Sequence, residues 1–284
     1  MSTHDLPESV NSAGHGIRYV SRLKTALNQF TGGLATPVRN PQRDKFGIAY
    51  ECLIEADALR HREEVEAALE KYEMALSCRP DLTEALVGIG KCMRRKGDTR
   101  AAIDAFEEAL SRNSFDKDVQ LELAKCYTEA GELEKAISHY RRAIRLDPRY
   151  VDAMFGLALV LEIHDEVEES MALYKRIISE DPDFLPAYNN LGSLYMRLGL
   201  YAESESLFRV LTDKAPDFSR GFLGLAITLD KSQRKQESLA MYHQVLAMRP
   251  NARSGDFIRK RISQLSTELF RASARRQVPL ARIK

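Results

Sequence analysis

An all-α chain made of six copies of one helix–turn–helix hairpin is the fold class that three observations predict. Proline recurs at Pro80, Pro148, Pro182, Pro216 and Pro250, on a lattice of step 34 whose missing node is Ser114. Registered on that lattice, the chain divides without insertion or deletion into six blocks: 49–82, 83–116, 117–150, 151–184, 185–218 and 219–252. The twenty-fourth position is aromatic every time: Tyr72, Phe106, Tyr140, Tyr174, Phe208 and Tyr242. With aromatics at 8% of the chain, chance would align them so on the order of one time in a few million. The eighth position is small throughout (Ala56, Gly90, Ala124, Ala158, Gly192, Ala226), and so is the twentieth (Ala68, Ala102, Ala136, Ser170, Ser204, Ser238).

Each half of a block reads as a helix. In block three Leu121, Ala124 and Tyr127 fall at helical spacing, Gly131 interrupts, and Leu133, Ala136, Ile137, Tyr140, Ala143 and Ile144 resume the 3.6-residue period. Glycine near the fifteenth position (Gly97, Gly131, Gly199) supplies the positive φ that ends helix A. Proline, which has no amide hydrogen to donate, closes helix B. Small residues at positions eight and twenty let the two backbones approach, and the aromatic fills the gap between neighbouring hairpins. One hairpin cannot cover its own apolar face, so stability has to come from stacking. Block one is irregular, with Glu55 where leucine is expected and Glu63 in place of glycine.

The ends differ from the repeats. Residues 253–270 carry Phe257, Ile258, Ile262, Leu265 and Leu269 on one stripe, as expected of a helix that caps the last repeat. Residues 271–284 form a tail with five basic residues and no acid. Residues 1–48 read as a flexible region in which 17–30 form a short basic amphipathic helix and 31–45 a linker with Gly32, Gly33, Pro37 and Pro41.

The pattern resembles the tetratricopeptide repeat. Block 185–218 carries the resemblance best, with Tyr188, Leu191, Gly192, Tyr195, Gly199, Phe208 and Pro216 at the family's positions. The resemblance spans residues 49–252 and implies a right-handed superhelical solenoid. Its concave face would be lined by A-helix positions two, five, nine, twelve and thirteen. It also implies a scaffold or adaptor that holds a partner protein.

Composition narrows the function. The 284 residues hold 42 Lys and Arg against 41 Asp and Glu, a net charge of +1. Residues 251–284 contribute +7 and residues 1–48 contribute +3, so the repeats carry −9. An acidic repeat array therefore has basic ends. No window of about 18 apolar residues is present for a spanning helix, and residues 1–16 lack the apolar core of a secretory signal. Cys52, Cys78, Cys92 and Cys126 form no CxxC pair and fit buried thiols in a reducing compartment, so the expected location is cytoplasmic.

No catalytic chemistry is legible. The six histidines are scattered among repeat positions, and none sits in HExxH or at zinc-ligand spacing from a cysteine. There is no GxxxxGK[ST], GxGxxG after a strand, or GxSxG. The expectation is a non-enzymatic protein with no catalytic, cofactor-binding or metal-binding residues.

What remains is the implied groove. Its position five reads Leu53, Val87, Leu121, Phe155, Asn189 and Leu223, an apolar row interrupted once. Position nine adds Lys91, Lys125, Leu159 and Ile227 as candidates, with Arg94 and Arg95 beside them. The profile is greasy around Phe155 and Leu159 and cationic upstream. It suits an extended peptide or amphipathic helix with apolar anchors and an acidic end. For Leu121 groove lining and plain core stand level. The carboxylate clamp of the family's chaperone-binding members needs a set of Lys, Asn and Arg of which only Asn190 is present, so that ligand is not expected. Alternatives stay open: contact with nucleic acid or anionic membrane through the basic ends, or autoinhibition by residues 17–30 folded into the groove. An exposed end repeat or cap could also pair with another copy.

Overall fold

The computed structural model describes residues 41–249 and 254–276. Among them every regular element is an α-helix. The hairpins run α1 (Pro41–His61) with α2 (Val65–Cys78), α3 (Thr83–Lys96) with α4 (Thr99–Arg112), and α5 (Lys117–Glu129) with α6 (Leu133–Leu146). They continue as α7 (Val151–Ile163) with α8 (Val167–Glu180), α9 (Leu185–Arg197) with α10 (Tyr201–Lys214), and α11 (Ser219–Lys231) with α12 (Lys235–Met248). A single long helix, α13 (Gly255–Arg276), follows. The fold class is thus all-α, a solenoid type of helix–turn–helix repeats with a C-terminal capping helix. The chain forms two compact units, one ending at Ser114 and the other beginning at Phe115. In the first, the α1–α2 hairpin packs through α2 on α3. In the second, α5 to α12 stack in chain order and α13 closes the series against α12.

Two boundaries differ from the sequence expectation. The first helix begins at Pro41, inside the stretch read as linker and eight residues before block one, because proline is well placed in a first helical turn. The capping helix runs on to Arg276, into the stretch read as basic tail, since Ala272, Ala274 and the arginines favour helix. The amphipathic segment 17–30 and tail residues 277–284 lie outside the described residues.

Every A helix ends in the same way. The residue at position fifteen is left-handed in all six blocks. It is glycine at Gly97, Gly131 and Gly199 (φ 83°, 77° and 77°), but Glu63, Asp165 and Gln233 (φ 70°, 65° and 64°) elsewhere. The amide that follows donates back to the carbonyl five residues earlier in each case, from Glu64 to Leu59, Asp98 to Met93, Glu132 to Tyr127, Glu166 to Leu161, Leu200 to Tyr195 and Arg234 to Leu229, at 2.8–3.0 Å. This is the Schellman closure, which satisfies a carbonyl the helix leaves over. Three blocks keep it although their side chain disfavours the geometry, because the hydrogen bond and the packing of both helices over-determine it. Gln233→Gly should therefore raise stability by about 1 kcal/mol, or some 2–4 °C in melting temperature, while Gly199→Ala should lower it. A thermal melt of each variant gives the signs.

Helix B stops two residues before the proline node, with one capping residue between them. Arg79, Asp147, Asp181, Ala215 and Arg249 cap it in extended backbone with φ from −134° to −143°. That is the conformation a following proline imposes. Asn113 adopts it too (φ −138°), with Ser114 next.

The aromatic of position twenty-four sits in a socket that residue spacing alone did not reveal. Sixteen residues after it, at position six of the next block, a glycine meets the ring: Gly88 faces Tyr72, Gly156 faces Tyr140 and Gly224 faces Phe208. A Cβ there would lie 2.2, 2.4 and 2.3 Å from the ring, inside any real contact distance. At the fourth such register Asn190 replaces glycine, and its amide donates to the Tyr174 hydroxyl at 3.3 Å. Tyr72, Tyr174 and Phe208 are fully buried.

Position twenty does more than stay small. Ser170, Ser204 and Ser238 each donate to the position-eight carbonyl of their own A helix, at Ala158 (2.9 Å), Gly192 (2.8 Å) and Ala226 (2.9 Å). Ser204 also meets the Thr228 hydroxyl of the next hairpin at 2.9 Å. A buried hydroxyl needs such a partner. In these three blocks position twenty-seven carries the larger Ile177, Leu211 and Val245, all buried.

Candidate functional site: the exposed face of the A helices

The A helices carry the candidate residues, and the fold divides them between two units with different chemistry. In the first unit the relevant helices are α1 and α3. Asp57, at position nine of α1, accepts the Tyr72 hydroxyl at 2.6 Å and an Arg60 guanidinium nitrogen at 3.2 Å. Arg60 in turn donates Nε to the same hydroxyl at 3.1 Å. Desolvation and the neighbouring Asp57 carboxylate push the Tyr72 phenol well above its ordinary range, so it stays neutral and donates. Next to this triad His61 titrates below its usual value, because burial and the Arg60 charge disfavour its protonation and Lys91 adds to the effect. Val87, Lys91 and Arg94 are half-buried along α3, and exposed Arg95 bridges to Glu63. The face is cationic, with Arg60 and Arg95 already engaged by carboxylates.

In the second unit the corresponding rows are mostly apolar. Phe155 lies on α7 with its ring edge-on to Phe184 (centroids 5.1 Å) and tilted over Tyr174 (5.9 Å). Its remaining surface and that of Leu159 are half-exposed, and Ile163, one turn further, is 62% exposed. Leu223 and Ile227 on α11 are half-exposed and rest on Phe222, Ala226 and Tyr242. Beyond Ile227 a cleft of about 340 Å³ opens among Ile227, Asp230, Tyr242, Phe257 and Arg261. Arg261 grips Asp230 through Nε and a terminal nitrogen at 2.6 and 2.7 Å, which ties the capping helix to the last repeat. A similar tie joins α7 to α9, where Glu162 accepts Tyr174 at 2.7 Å and Arg197 at 2.8 Å.

Set against the expected groove residues, two are corrected. Leu53 is 2% and Leu121 4% exposed, so both belong to the interior rather than to a ligand face. Position five sits at the edge between core and face. A leucine there turns inward where the next helix leaves room, as Leu53 does against Leu69 and Tyr72. Val87, Lys91, Arg94 and Arg95 lie together on α3, and Phe155 and Leu159 together on α7. Lys125 pairs with Glu122 of its own helix at 3.2 Å, and Asn189 donates to Asn190 at 3.0 Å, so neither presents an idle polar group. Ile163 was missed, and Phe257, expected on the stripe that packs the capping helix on the last repeat, is instead 55% exposed. Ile163 stands at position thirteen, one of the groove positions, and that offset was the available signal.

Among the described residues no cluster of three or more His, Cys, Asp or Glu could hold a metal ion. Among the same residues no helix is long and apolar enough to cross a membrane.

Stacked helical hairpins with a half-exposed row on the first helix of each define a repeat scaffold of the protein-binding class. Residues 94–151, 129–184 and 187–210 match the family described as tetratricopeptide repeat. These stretches are tetratricopeptide repeats. No curated protein matches it significantly. Among solved structures, MamA is 26% identical over 56% of this chain and 93% of its own, with a TM-score of 0.53. PilF of Pseudomonas aeruginosa covers 81% of this chain and 100% of its own at 12% identity and a TM-score of 0.64. YrrB, described as a TPR protein with an unusual peptide-binding site, covers 66% and 97% at 15% identity and a TM-score of 0.56. The last two share the fold alone.

Proposed function

We propose that this protein is a non-enzymatic adaptor that holds a segment of a partner protein against its A helices. One observation carries the reading: at position nine Leu159 and Ile227 of the second unit are half-exposed and apolar, with half-exposed Phe155 and Leu223 one turn before them, whereas the first unit has Lys91 at that position. Half-exposed apolar side chains supported by a packed core make good anchor sites, because burying them costs little further ordering. Apolar anchors of an extended peptide or amphipathic helix suit the second unit, and carboxylates suit the first. YrrB is a precedent for peptide binding by this fold, as its description states. Cys52, Cys92 and Cys126 are buried and Cys78 is half-buried, which supports a reducing compartment such as the cytoplasm.

An affinity pull-down compared between wild type and Leu159→Asp plus Lys91→Glu tests the reading. Both sites are partly open to solvent, so circular dichroism of the variant should match wild type. The expected result is loss of the same prey, with binding weakened about tenfold or more. Undiminished capture by a folded variant would sink it.

A further inference from the structure

The two ends of the described chain carry complementary surfaces. On the first hairpin, Ile48, Glu51, Glu55 and Ala58 recur at helical spacing along the exposed side of α1, opposite buried Cys52, Leu53 and Ala56. Glu55 bridges to Lys71 of α2 at 2.5 Å, which brings α2 onto the same side. There Glu70 is exposed and Met74, 48% exposed, stands one turn on. From Ile48 to Cys78 this hairpin holds eight Asp and Glu against three Lys and Arg. At the other end, α13 buries Ile258 and Leu265 against the last hairpin and leaves its far side bare. That far side reads Lys260, Ser263, Thr267, Phe270 and Arg271, all exposed, with Phe270 at 73%. The helix holds six Arg and Lys against two acids. A large aromatic so open to water, framed by cations, marks a docking surface more than a resting one.

We propose that the outer side of α13 in one copy docks on the outer side of the α1–α2 hairpin of a second copy. Phe270 would cover Ile48 and Met74, while Lys260 and Arg271 meet the glutamates at Glu51 and Glu70. A helix of 22 residues spans about 33 Å, long enough to lie along a hairpin of 14- to 21-residue helices. Because head and tail are different surfaces, the contact is heterologous: every copy keeps one free end and association continues to a ring or a chain. The attraction is electrostatic in large part, so it weakens as salt screens it.

Sedimentation velocity on the full chain tests this. Wild type should sediment increasingly fast with concentration at about 0.05 M salt and return to monomer near 0.5 M. A head variant (Glu51→Lys plus Glu70→Lys) and a tail variant (Phe270→Ala plus Arg271→Glu) should each weaken association about tenfold or more, with unchanged circular dichroism. Mixed together they retain one intact tail and one intact head, and should form a 1:1 heterodimer that grows no further. A wild type that stays monomeric at every concentration and salt would overturn the proposal. So would a mixture of the two variants that forms no heterodimer, as expected if the dimer is symmetric or if the acidic hairpin is covered by another part of the same chain.

Discussion

Replacing Gly224 by alanine should destabilise the second unit by about 1–3 kcal/mol, the cost typical of overpacking a filled interior. The added Cβ would lie 2.3 Å from one carbon of the Phe208 ring and 2.4 and 2.8 Å from two others. The ring has nowhere to retreat. It is fully buried, and Tyr188, Leu211, Leu225 and Leu229 surround it. The origin of the effect is open to a double-mutant cycle. Phe208→Leu removes ring atoms that the methyl would strike, so alanine at 224 should cost less in that background than in wild type. A coupling of about 1 kcal/mol or more of favourable sign is expected, read from chemical denaturation of the four proteins. Strict additivity would show that the glycine is there for some other reason.

The second large effect falls on the capping helix. Arg261→Ala should free α13 from the last repeat, because the guanidinium makes both bonds to Asp230 and a further one to Glu268 at 3.3 Å. These bonds, together with the carboxylates around it, hold the guanidinium well above its ordinary range, so it carries its charge throughout. Asp230, 14% exposed beneath the guanidinium, would lose its main cationic partner. Hydrogen bonds to charged groups contribute roughly 1.5–3 kcal/mol each, reduced here by partial solvent access, so a loss of about 1–2 kcal/mol is expected. It should appear locally, as faster amide exchange across Ile258–Leu269, while α5 to α8 keep their protection. Repeat arrays lose stability by neighbours, not all at once. Equal acceleration throughout the chain would contradict that picture.

The repeat frame was legible because it is written in residues whose physical role admits few substitutes: a ring at position twenty-four, small residues at eight and twenty, a proline at the node. The left-handed turn was half legible. Gly97, Gly131 and Gly199 announced it, but Glu63, Asp165 and Gln233 hold the same angle through packing and a back-donated amide, and nothing in their side chains says so. The socket glycines were visible as a row, Gly88, Gly156 and Gly224, without the reason. Their offset of sixteen residues from Tyr72, Tyr140 and Phe208 fails after Phe106 and Tyr174, where Glu122 and Asn190 stand, so spacing did not single them out. Serine at position twenty reads as merely small until its hydroxyl is seen reaching a carbonyl one helix away.

The candidate face was less legible than the frame. Leu53, Leu121, Phe155 and Leu223 share one repeat position, yet two are interior and two half-exposed. Sidedness at such a position is set by what the neighbouring helix leaves unfilled, which a one-dimensional period does not encode. Cations were easier to place, since Lys91, Arg94 and Arg95 have to keep their charged ends near water.

The uniform turn at positions 63, 97, 131, 165, 199 and 233 has an evolutionary corollary. A joint that reproduces its angle with glycine, glutamate, aspartate or glutamine admits several residues, at a cost in stability where the residue is not glycine. Gene duplication or loss of a whole 34-residue module therefore leaves the flanking joints intact.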